Sequence, residues 1–163
     1  MLPITEQQIR GAFVNASRKE TSLITVPDGL DATDWESLDF LGWRDQRLPR
    51  RAYAVIPTLD GDPVGILFQQ AEAAPRSRAQ CTWCQDVRLP NDVVFMSAKL
   101  AGPAGRKGDT VGTLVCERFQ CSQNVRKLPP LAYEGYDLEA ARVRRIDELQ
   151  LRAASFVDAV TRA

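Results

Sequence analysis

Four cysteines in two close pairs constrain this chain more than any other feature of its sequence. Cys81 and Cys84 form a C-x-x-C pair, and 31 residues separate them from a second pair, Cys116 and Cys121. The 163-residue chain contains no histidine. Ser-His-Asp and Cys-His nucleophile systems, histidine general bases and histidine metal ligands are therefore excluded, and metal or redox chemistry must involve the cysteines.

The cysteine spacing predicts one tetrahedral zinc site. Zinc takes four thiolate ligands at about 2.3 Å, and a C-x-x-C turn directs two of them to one centre. Cys116 follows an apolar run typical of a strand, and Cys121 falls where a short helix is expected to begin, with unpaired N–H groups that favour a thiolate. The order of turn, hairpin, strand end and helix start is that of a treble-clef zinc finger, over about residues 78–130. Four thiolates leave no open coordination position, which predicts a structural zinc ion.

Other uses of the cysteines depend on their context and on the cellular compartment. A thioredoxin-like redox pair needs a βαβ context that this sequence lacks, and disulfides need an oxidising compartment. The first ten residues lack the basic end and apolar stretch of a signal peptide, and no apolar run reaches the roughly 18–20 residues that span a bilayer. We therefore expect a cytoplasmic protein with reduced thiols and no membrane contact. A redox sensor with exposed, reactive thiolates is an alternative.

Local patterns predict a single α+β domain over residues 1–163, with an antiparallel sheet and helices at both ends. A capping box begins at Thr5, so an N-terminal helix is expected over residues 5–20. A long amphipathic helix closes the chain from Asp137. Two hairpins are expected, the first with Asp60-Gly61 at its turn and the second with a Gly-rich loop at its tip. The strands are expected at residues 53–56, 64–68, 93–98 and 111–115.

The middle of the chain is basic although the whole chain is neutral. The chain has 21 basic and 21 acidic side chains, but residues 76–127, here called the basic island, contain nine basic and four acidic ones. One explanation is a docking surface for an acidic protein or for RNA phosphates. The other is a solvated loop tip, with compensation of the negative charge of a four-thiolate zinc site. The candidate docking residues are Arg106, Lys107, Arg118, Arg126 and Lys127.

Two aromatic residues near the cysteines are candidate anchors for a partner. Trp83 lies between the first two cysteines, where its side chain either packs on the sheet or contacts a partner. Phe119 lies between the last two and is an alternative apolar anchor. The carboxylates form no convergent pair, and no nucleophile has an activating base. We therefore expect no catalytic residues, no enzymatic activity and no small-molecule substrate.

As a set, these motifs resemble those of the elongation factor G-binding proteins, which are the fusidic acid resistance proteins and their relatives. The similarity covers roughly residues 5–160 and includes the treble-clef domain of that family. The segments that carry it are Cys81-Thr82-Trp83-Cys84, residues 94–99, 112–116, 121–126 and 40–43, and the hairpin with Gly61, Gly65 and Ile66.

The resemblance implies a domain that binds elongation factor G and promotes its release from the ribosome, countering the drug that traps it there. It implies elongation factor G as the partner; the basic residues leave the ribosome or ribosomal RNA as another partner. The basic island would then meet an acidic face of that protein. The alternative is an RNA-binding zinc finger that contacts phosphates through residues 76–127, with an affinity that falls steeply with salt.

Overall fold

Apolar runs in the middle of the chain form an antiparallel sheet. The computed structural model describes residues 1–58, 62–73, 78–86 and 91–162. In these residues five strands follow one another in chain order, each paired antiparallel with the next. The strands are β1 (Leu41–Arg44), β2 (Arg51–Pro57), β3 (Pro63–Gln70), β4 (Val93–Lys99) and β5 (Thr110–Cys116).

The strand register confirms the two predicted hairpins. β2 and β3 pair along their length with Pro57 opposite Pro63, while the expected Asp60-Gly61 turn lies outside the described residues. β4 and β5 also pair along their length, with Val93 opposite Cys116. By contrast, β3 and β4 share two residue pairs in their described register. The two hairpins therefore meet at a narrow junction.

The short strand β1 is not predicted by the sequence pattern. Leu41 pairs with Val55, and Trp43 pairs with Tyr53 of β2. Between them, a Cβ atom at position 42 would lie 2.4 Å from Cγ of Phe119, so the glycine found there admits the aromatic ring. Contacts with distant residues, more than local composition, therefore fix this four-residue strand.

Five α-helices and two 3-10 turns flank the sheet in the described part of the chain. The closing helix begins where the sequence predicts it, with Asp137 as its N-cap, whose carboxylate accepts a hydrogen bond from the Ala140 N–H (2.9 Å). Among the described residues, no helix is both long and apolar enough to cross a membrane. The 3-10 turns are Leu30–Ala32 and Trp35–Ser37. The helices are α1 (Glu6–Ala12), α2 (Arg18–Ser22), α3 (Gly102–Lys107), α4 (Cys121–Arg126) and α5 (Leu138–Thr161).

The expected N-terminal helix over residues 5–20 is wrong in its extent. Thr5 forms the predicted capping box, but α1 ends before Phe13, and a second capping box at Ser17 begins α2. Phe13 is extended (φ −69°, ψ 119°) and bridges to Gly65 of β3. A Cβ atom at position 65 would lie 2.9 Å from Phe13 Cγ, so the glycine allows the contact that interrupts the helix.

The Gly-rich loop expected between β4 and β5 is instead the short helix α3. Pro103 lies in its first turn, where the missing N–H leaves no helical hydrogen bond unmade. Gly105 packs on Leu100, whose carbonyl oxygen would lie 1.7 Å from an added Cβ atom. Gly108 ends the helix in the left-handed conformation (φ 103°). The glycines therefore serve helix packing and termination.

Two apolar clusters lie on opposite faces of the sheet, because successive side chains along a strand alternate between faces. Ala54 belongs to a cluster with the four cysteines and α5, whereas its neighbour Val55 belongs to a cluster with α1. The first, here called the finger-side cluster, centres on Phe68, Trp83, Phe119, Phe156 and the four cysteines. The second, the N-terminal cluster, centres on Ile4, Ile9, Leu41 and Val55.

Candidate metal centre

The C-x-x-C segment is a tight turn fastened to the sheet. The Thr82 N–H donates to the Leu114 carbonyl of β5 (2.8 Å), which holds the turn against the strand edge. The turn closes when the Gln85 N–H donates to the Cys81 carbonyl (2.9 Å). Gln85 adopts a left-handed backbone conformation (φ 52°) to do so. This geometry directs Cys81 and Cys84 toward the end of β5.

The second pair of cysteines joins the end of a strand to the start of a helix. Cys116 is the last residue of β5, and Cys121 is the first residue of α4. Between them, Phe119 has a left-handed backbone (φ 58°), and its N–H donates to the Cys116 carbonyl (2.9 Å). The predicted order of turn, hairpin, strand end and helix start is therefore confirmed.

The four sulfur atoms have the spacing of a zinc site. Among the described residues, Cys81, Cys84, Cys116 and Cys121 place their sulfurs within 4.8 Å of one another. The distance is 3.6 Å between the Cys81 and Cys121 sulfurs and 3.6 Å between the Cys84 and Cys116 sulfurs. Four ligands in a tetrahedron around zinc are about 3.8 Å apart. The residues therefore fit the ion, and the four cysteines form a structural zinc site.

The packed thiols interfere with one another's ionisation. Hydrogen bonding from Cys116 lowers the pKa of Cys84, whereas contact with Cys116 and the other sulfurs raises the pKa of Cys121. The four groups therefore cannot all ionise at this spacing without a cation. Bound Zn²⁺ offsets the negative charge of four thiolates and cross-links the C-x-x-C turn, β5 and α4.

The burial of the sulfurs bears on the redox alternative. All four cysteines are buried, and even Cys84, the most accessible of them, is 4% exposed. Redox-active thiolates are partly exposed to their oxidants. The geometry therefore favours a structural site over a redox sensor.

Trp83 and Phe119 are buried in the finger-side cluster, which corrects the expectation that they anchor a partner at the surface. Trp83 is 1% exposed, and its ring centroid lies 5.0 Å from that of Phe40 and 5.9 Å from that of Phe156. The ring of Phe119 is 6.3 Å from that of Trp83. Of the two roles left open for Trp83, the structure supports packing on the sheet.

A buried ion pair fastens α4 to the rest of the fold. The Asp39 side chain is 1% exposed, and its carboxylate lies 2.5 Å from Nη1 of Arg126. The same carboxylate accepts a hydrogen bond from Gln150 of α5 (2.9 Å), and the Asp39 N–H donates to Ser122 Oγ of α4 (3.0 Å). Arg126, a candidate docking residue, therefore has a structural partner. The structural role of Asp39 is not predicted from the sequence. The signal for it is an acidic residue between two apolar neighbours.

The other basic candidates form two groups at opposite ends of β5. Arg106 and Lys107 lie at the end of α3, before the strand, whereas Arg118 and Lys127 flank α4, after it. All four side chains are exposed. The seven residues of β5 advance the chain by about 20 Å. The structure thus separates these residues instead of gathering them in one compact patch.

The antiparallel sheet, the two cysteine-bearing turns and the helix that starts at Cys121 define the class of this molecule: a treble-clef zinc-finger protein with four cysteine ligands. Residues 8–160 match the model of the FBP C-terminal treble-clef zinc-finger family. The chain belongs to that family, which confirms the resemblance seen in its motifs.

A solved structure of the fusidic acid resistance protein FusC is similar to this chain, with 20% sequence identity and a TM-score of 0.51. The match covers 80% of this chain and 51% of FusC, so this chain spans about half the length of that protein. At this level of identity the likeness shows a shared fold. No curated protein matches the chain.

Proposed function

We propose that this chain is a non-enzymatic zinc-binding module that docks on elongation factor G or the ribosome, and so influences translation or tolerance to fusidic acid. The observation that carries the proposal is the family match over residues 8–160, since the motifs within it resemble those of elongation factor G-binding proteins. The shared fold with a fusidic acid resistance protein supports the same direction. The chain spans about half of FusC, so a role in resistance to fusidic acid is itself proposed and does not follow from the likeness.

The donor set supports a structural role for the ion and no catalytic one. Four thiolates fill the coordination sphere of a tetrahedral zinc ion, which leaves no position for a water molecule or a substrate. The ion instead fixes α4 and the C-x-x-C turn relative to β5. In this proposal, zinc keeps the surface around α4 in the shape that the partner recognises.

We place the docking site at the end of the molecule that carries the finger. Affinity at a protein interface depends mainly on apolar anchors, whereas charges act more on association rate and specificity. Leu131 and Tyr133 lie in the segment between α4 and α5, and each is 64% exposed. They replace the buried Trp83 and Phe119 as candidate anchors. We define the finger-end surface by these two residues and the exposed Arg118 and Lys127 that flank α4.

Calorimetric titration of the zinc-loaded chain into purified elongation factor G tests this proposal. We expect binding with a stoichiometry near one at low and moderate salt. Charge reversal at the finger end, in an Arg118→Glu/Lys127→Glu variant, is expected to weaken binding about tenfold or more. The matched control is Arg106→Glu/Lys107→Glu, which makes the same charge change on α3 and is expected to shift the affinity less than about twofold.

The outcomes separate the partner from the surface. Absence of heat at either salt would refute docking on elongation factor G while leaving the zinc fold intact. Binding that weakens in the α3 variant but not in the finger-end variant would refute the choice of surface. Binding to ribosomal RNA in place of the factor, with an affinity that falls steeply with salt, would favour the RNA-binding alternative.

A further inference from the structure

One polar side chain reaches two of the metal-binding sulfurs at once. Asn124 lies in α4, three residues after the ligand Cys121, and is 2% exposed. Its side-chain nitrogen Nδ2 is 3.5 Å from the Cys116 sulfur and 3.7 Å from the Cys84 sulfur. A primary amide has two N–H donors, so one group is able to donate to both sulfurs.

The two sulfurs belong to different ligand pairs. Cys84 comes from the C-x-x-C turn and Cys116 from the end of β5, and their sulfurs are 3.6 Å apart. Asn124 therefore adds a side-chain link between these two segments, beside the backbone hydrogen bond from Thr82 to Leu114. Cys84 is also the most exposed of the four cysteines, at 4%, and the amide contacts its sulfur.

Within the described residues, few unpaired charges are available to stabilise the zinc thiolates, so uncharged hydrogen-bond donors such as an amide matter more. A zinc ion with four thiolates has a net charge of about −2. The two arginines that hydrogen-bond to the backbone of α4 are each paired with a carboxylate: Arg126 with Asp39, and Arg145 with Asp86. Their charge is thus largely matched by acids. Hydrogen bonds from an amide N–H stabilise a thiolate without bringing a further charge into the core.

The position of Asn124 is fixed from outside the metal site. Its backbone N–H donates to the Gln120 carbonyl (2.9 Å), and its own carbonyl accepts a hydrogen bond from Arg145 of α5 (3.3 Å). Arg145 also donates to the Lys127 carbonyl (3.0 Å) and pairs with Asp86 (2.7 Å). The long closing helix thus holds the segment of α4 that carries the amide.

We propose that Asn124 is a positioning residue of the zinc site, whose side-chain amide bridges the Cys84 and Cys116 thiolates and slows the release of the ion. Two hydrogen bonds to sulfur spread the negative charge of the thiolates and hold both ligands at the distance that zinc requires. Without the amide, all four cysteines are still able to bind the metal, but Cys84 and Cys116 dissociate from it more readily.

The most direct test uses the unaltered 163-residue chain with ¹¹³Cd in place of zinc. A hydrogen bond from N–H to a metal-bound sulfur transmits a scalar coupling between the proton and the cadmium nucleus. We expect such a coupling for the two side-chain amide protons of Asn124, one through each sulfur. Assigned side-chain amide signals of Asn124 without any cadmium coupling would overturn the proposal.

A variant pair separates positioning from general stability. Asn124→Ala removes the donors to sulfur, whereas Ser122→Ala is a matched control on the same helix, because the buried Ser122 hydroxyl bonds to the Asp39 N–H and not to a cysteine. The rate of zinc transfer to an excess of chelator is expected to rise about tenfold or more in Asn124→Ala and less than about twofold in Ser122→Ala. Equal rates in the two variants would assign Asn124 a merely structural role. If Asn124→Ala does not fold, the cadmium coupling in the unaltered chain still decides.

Discussion

The two faces of the sheet are covered in different ways. On one face, the finger-side cluster encloses the four cysteines together with Trp83 and the closing helix α5. On the other face, α1 packs against β1 and β2 in the N-terminal cluster, which contains none of the cysteines. The finger-side cluster is built around four thiolates, which lie close together in their charged form only when a cation is bound between them. The N-terminal cluster is built from apolar side chains and rings, with Phe13 5.9 Å from Tyr53 and 6.4 Å from Trp43 between ring centroids.

The comparison shows two ways to cover a small sheet. A short helix and a tight turn bury little apolar surface by themselves, so α4 and the C-x-x-C turn depend on zinc, on Trp83 and on the Asp39–Arg126 ion pair to stay in place. The N-terminal face depends on helix caps and direct packing, as at the Thr5 capping box of α1. We therefore expect metal removal and core substitutions to affect the two faces unequally.

Removal of zinc has the largest expected effect. Structural zinc contributes on the order of 10 kcal/mol to folding, which is comparable to the whole stability of a domain. We expect a strong chelator, or the Cys81→Ser substitution, to abolish the near-ultraviolet circular dichroism of the buried Trp83 and to lower the unfolding midpoint sharply. Hydrogen exchange should show Val115 of β5 losing protection before Val55. A chelated chain with unchanged spectrum and midpoint would contradict the metal-dependent core.

Substitution of one tryptophan on each face of the sheet, Trp83 and Trp43, tests the difference between the two clusters. Trp83→Ala empties the centre of the finger-side cluster and is expected to cost about 3–5 kcal/mol and to weaken zinc binding. Trp43→Ala is the matched control on the other face, where the half-buried ring and its hydrogen bond to the Thr25 carbonyl (2.8 Å) are lost. We expect a smaller loss of stability and unchanged zinc affinity. Denaturant unfolding and competition with a zinc chelator measure both quantities, and equal zinc affinities in the two variants would argue against coupling between Trp83 and the metal.

The buried ion pair of Asp39 tests how α4 is fastened. Asp39→Asn leaves the partly buried Arg126 without its countercharge and is expected to destabilise the fold by about 3 kcal/mol. Asp158→Asn removes the partner of Arg162 in an exposed pair of the same chemistry and is expected to change stability by less than about 0.5 kcal/mol. Urea unfolding of the zinc-loaded variants compares them. Similar losses in both variants would mean that the Asp39 pair has no special role.

Removal of the hydrogen bond from the Tyr53 hydroxyl to Asp45 has the smallest expected effect on stability, and this effect depends on pH. Burial, together with the hydrogen bond to Asp45, raises the pKa of Tyr53 well above its usual value. A phenol with a raised pKa in the folded state contributes its full stability below the unfolded pKa of about 10, and this contribution is lost as the pH rises through the folded value. At neutral pH we expect Tyr53→Phe to cost about 1–3 kcal/mol.

The difference between wild type and Tyr53→Phe should therefore shrink as the pH rises above about 10. Both proteins carry the same metal site, so its own response to alkaline pH cancels in the difference between them. Denaturant unfolding at a series of alkaline pH values provides the comparison. A difference that stays constant over this range would show that the Tyr53 hydroxyl is not held as the structure describes.

The metal site follows from the sequence more completely than its surroundings do. The ligands and the order of their elements depend on local spacing, so Cys81, Cys84, Cys116 and Cys121 are predicted from sequence alone. The elements that were wrong depend on contacts between distant residues. Phe13 interrupts the expected N-terminal helix because it reaches Gly65.

The same explanation holds for the side chains around the site. The Gly-rich segment after β4 forms a helix because Gly105 packs on the Leu100 backbone. Asp39 becomes a buried ion-pair partner only when α4 and α5 bring Arg126 and Gln150 to it. Side-chain burial, which decides between a core role and a surface role for Trp83, is likewise a property of the assembled fold.

X-ray absorption at the zinc edge of the zinc-loaded, 163-residue chain tests the central claim most directly. The account predicts one zinc ion per chain, with four sulfur neighbours at about 2.3 Å and no lighter neighbour. Because the chain contains no histidine, a nitrogen or oxygen atom in place of one sulfur would mean a water molecule or a carboxylate at the metal. That result would contradict a closed structural site and would return catalysis to consideration.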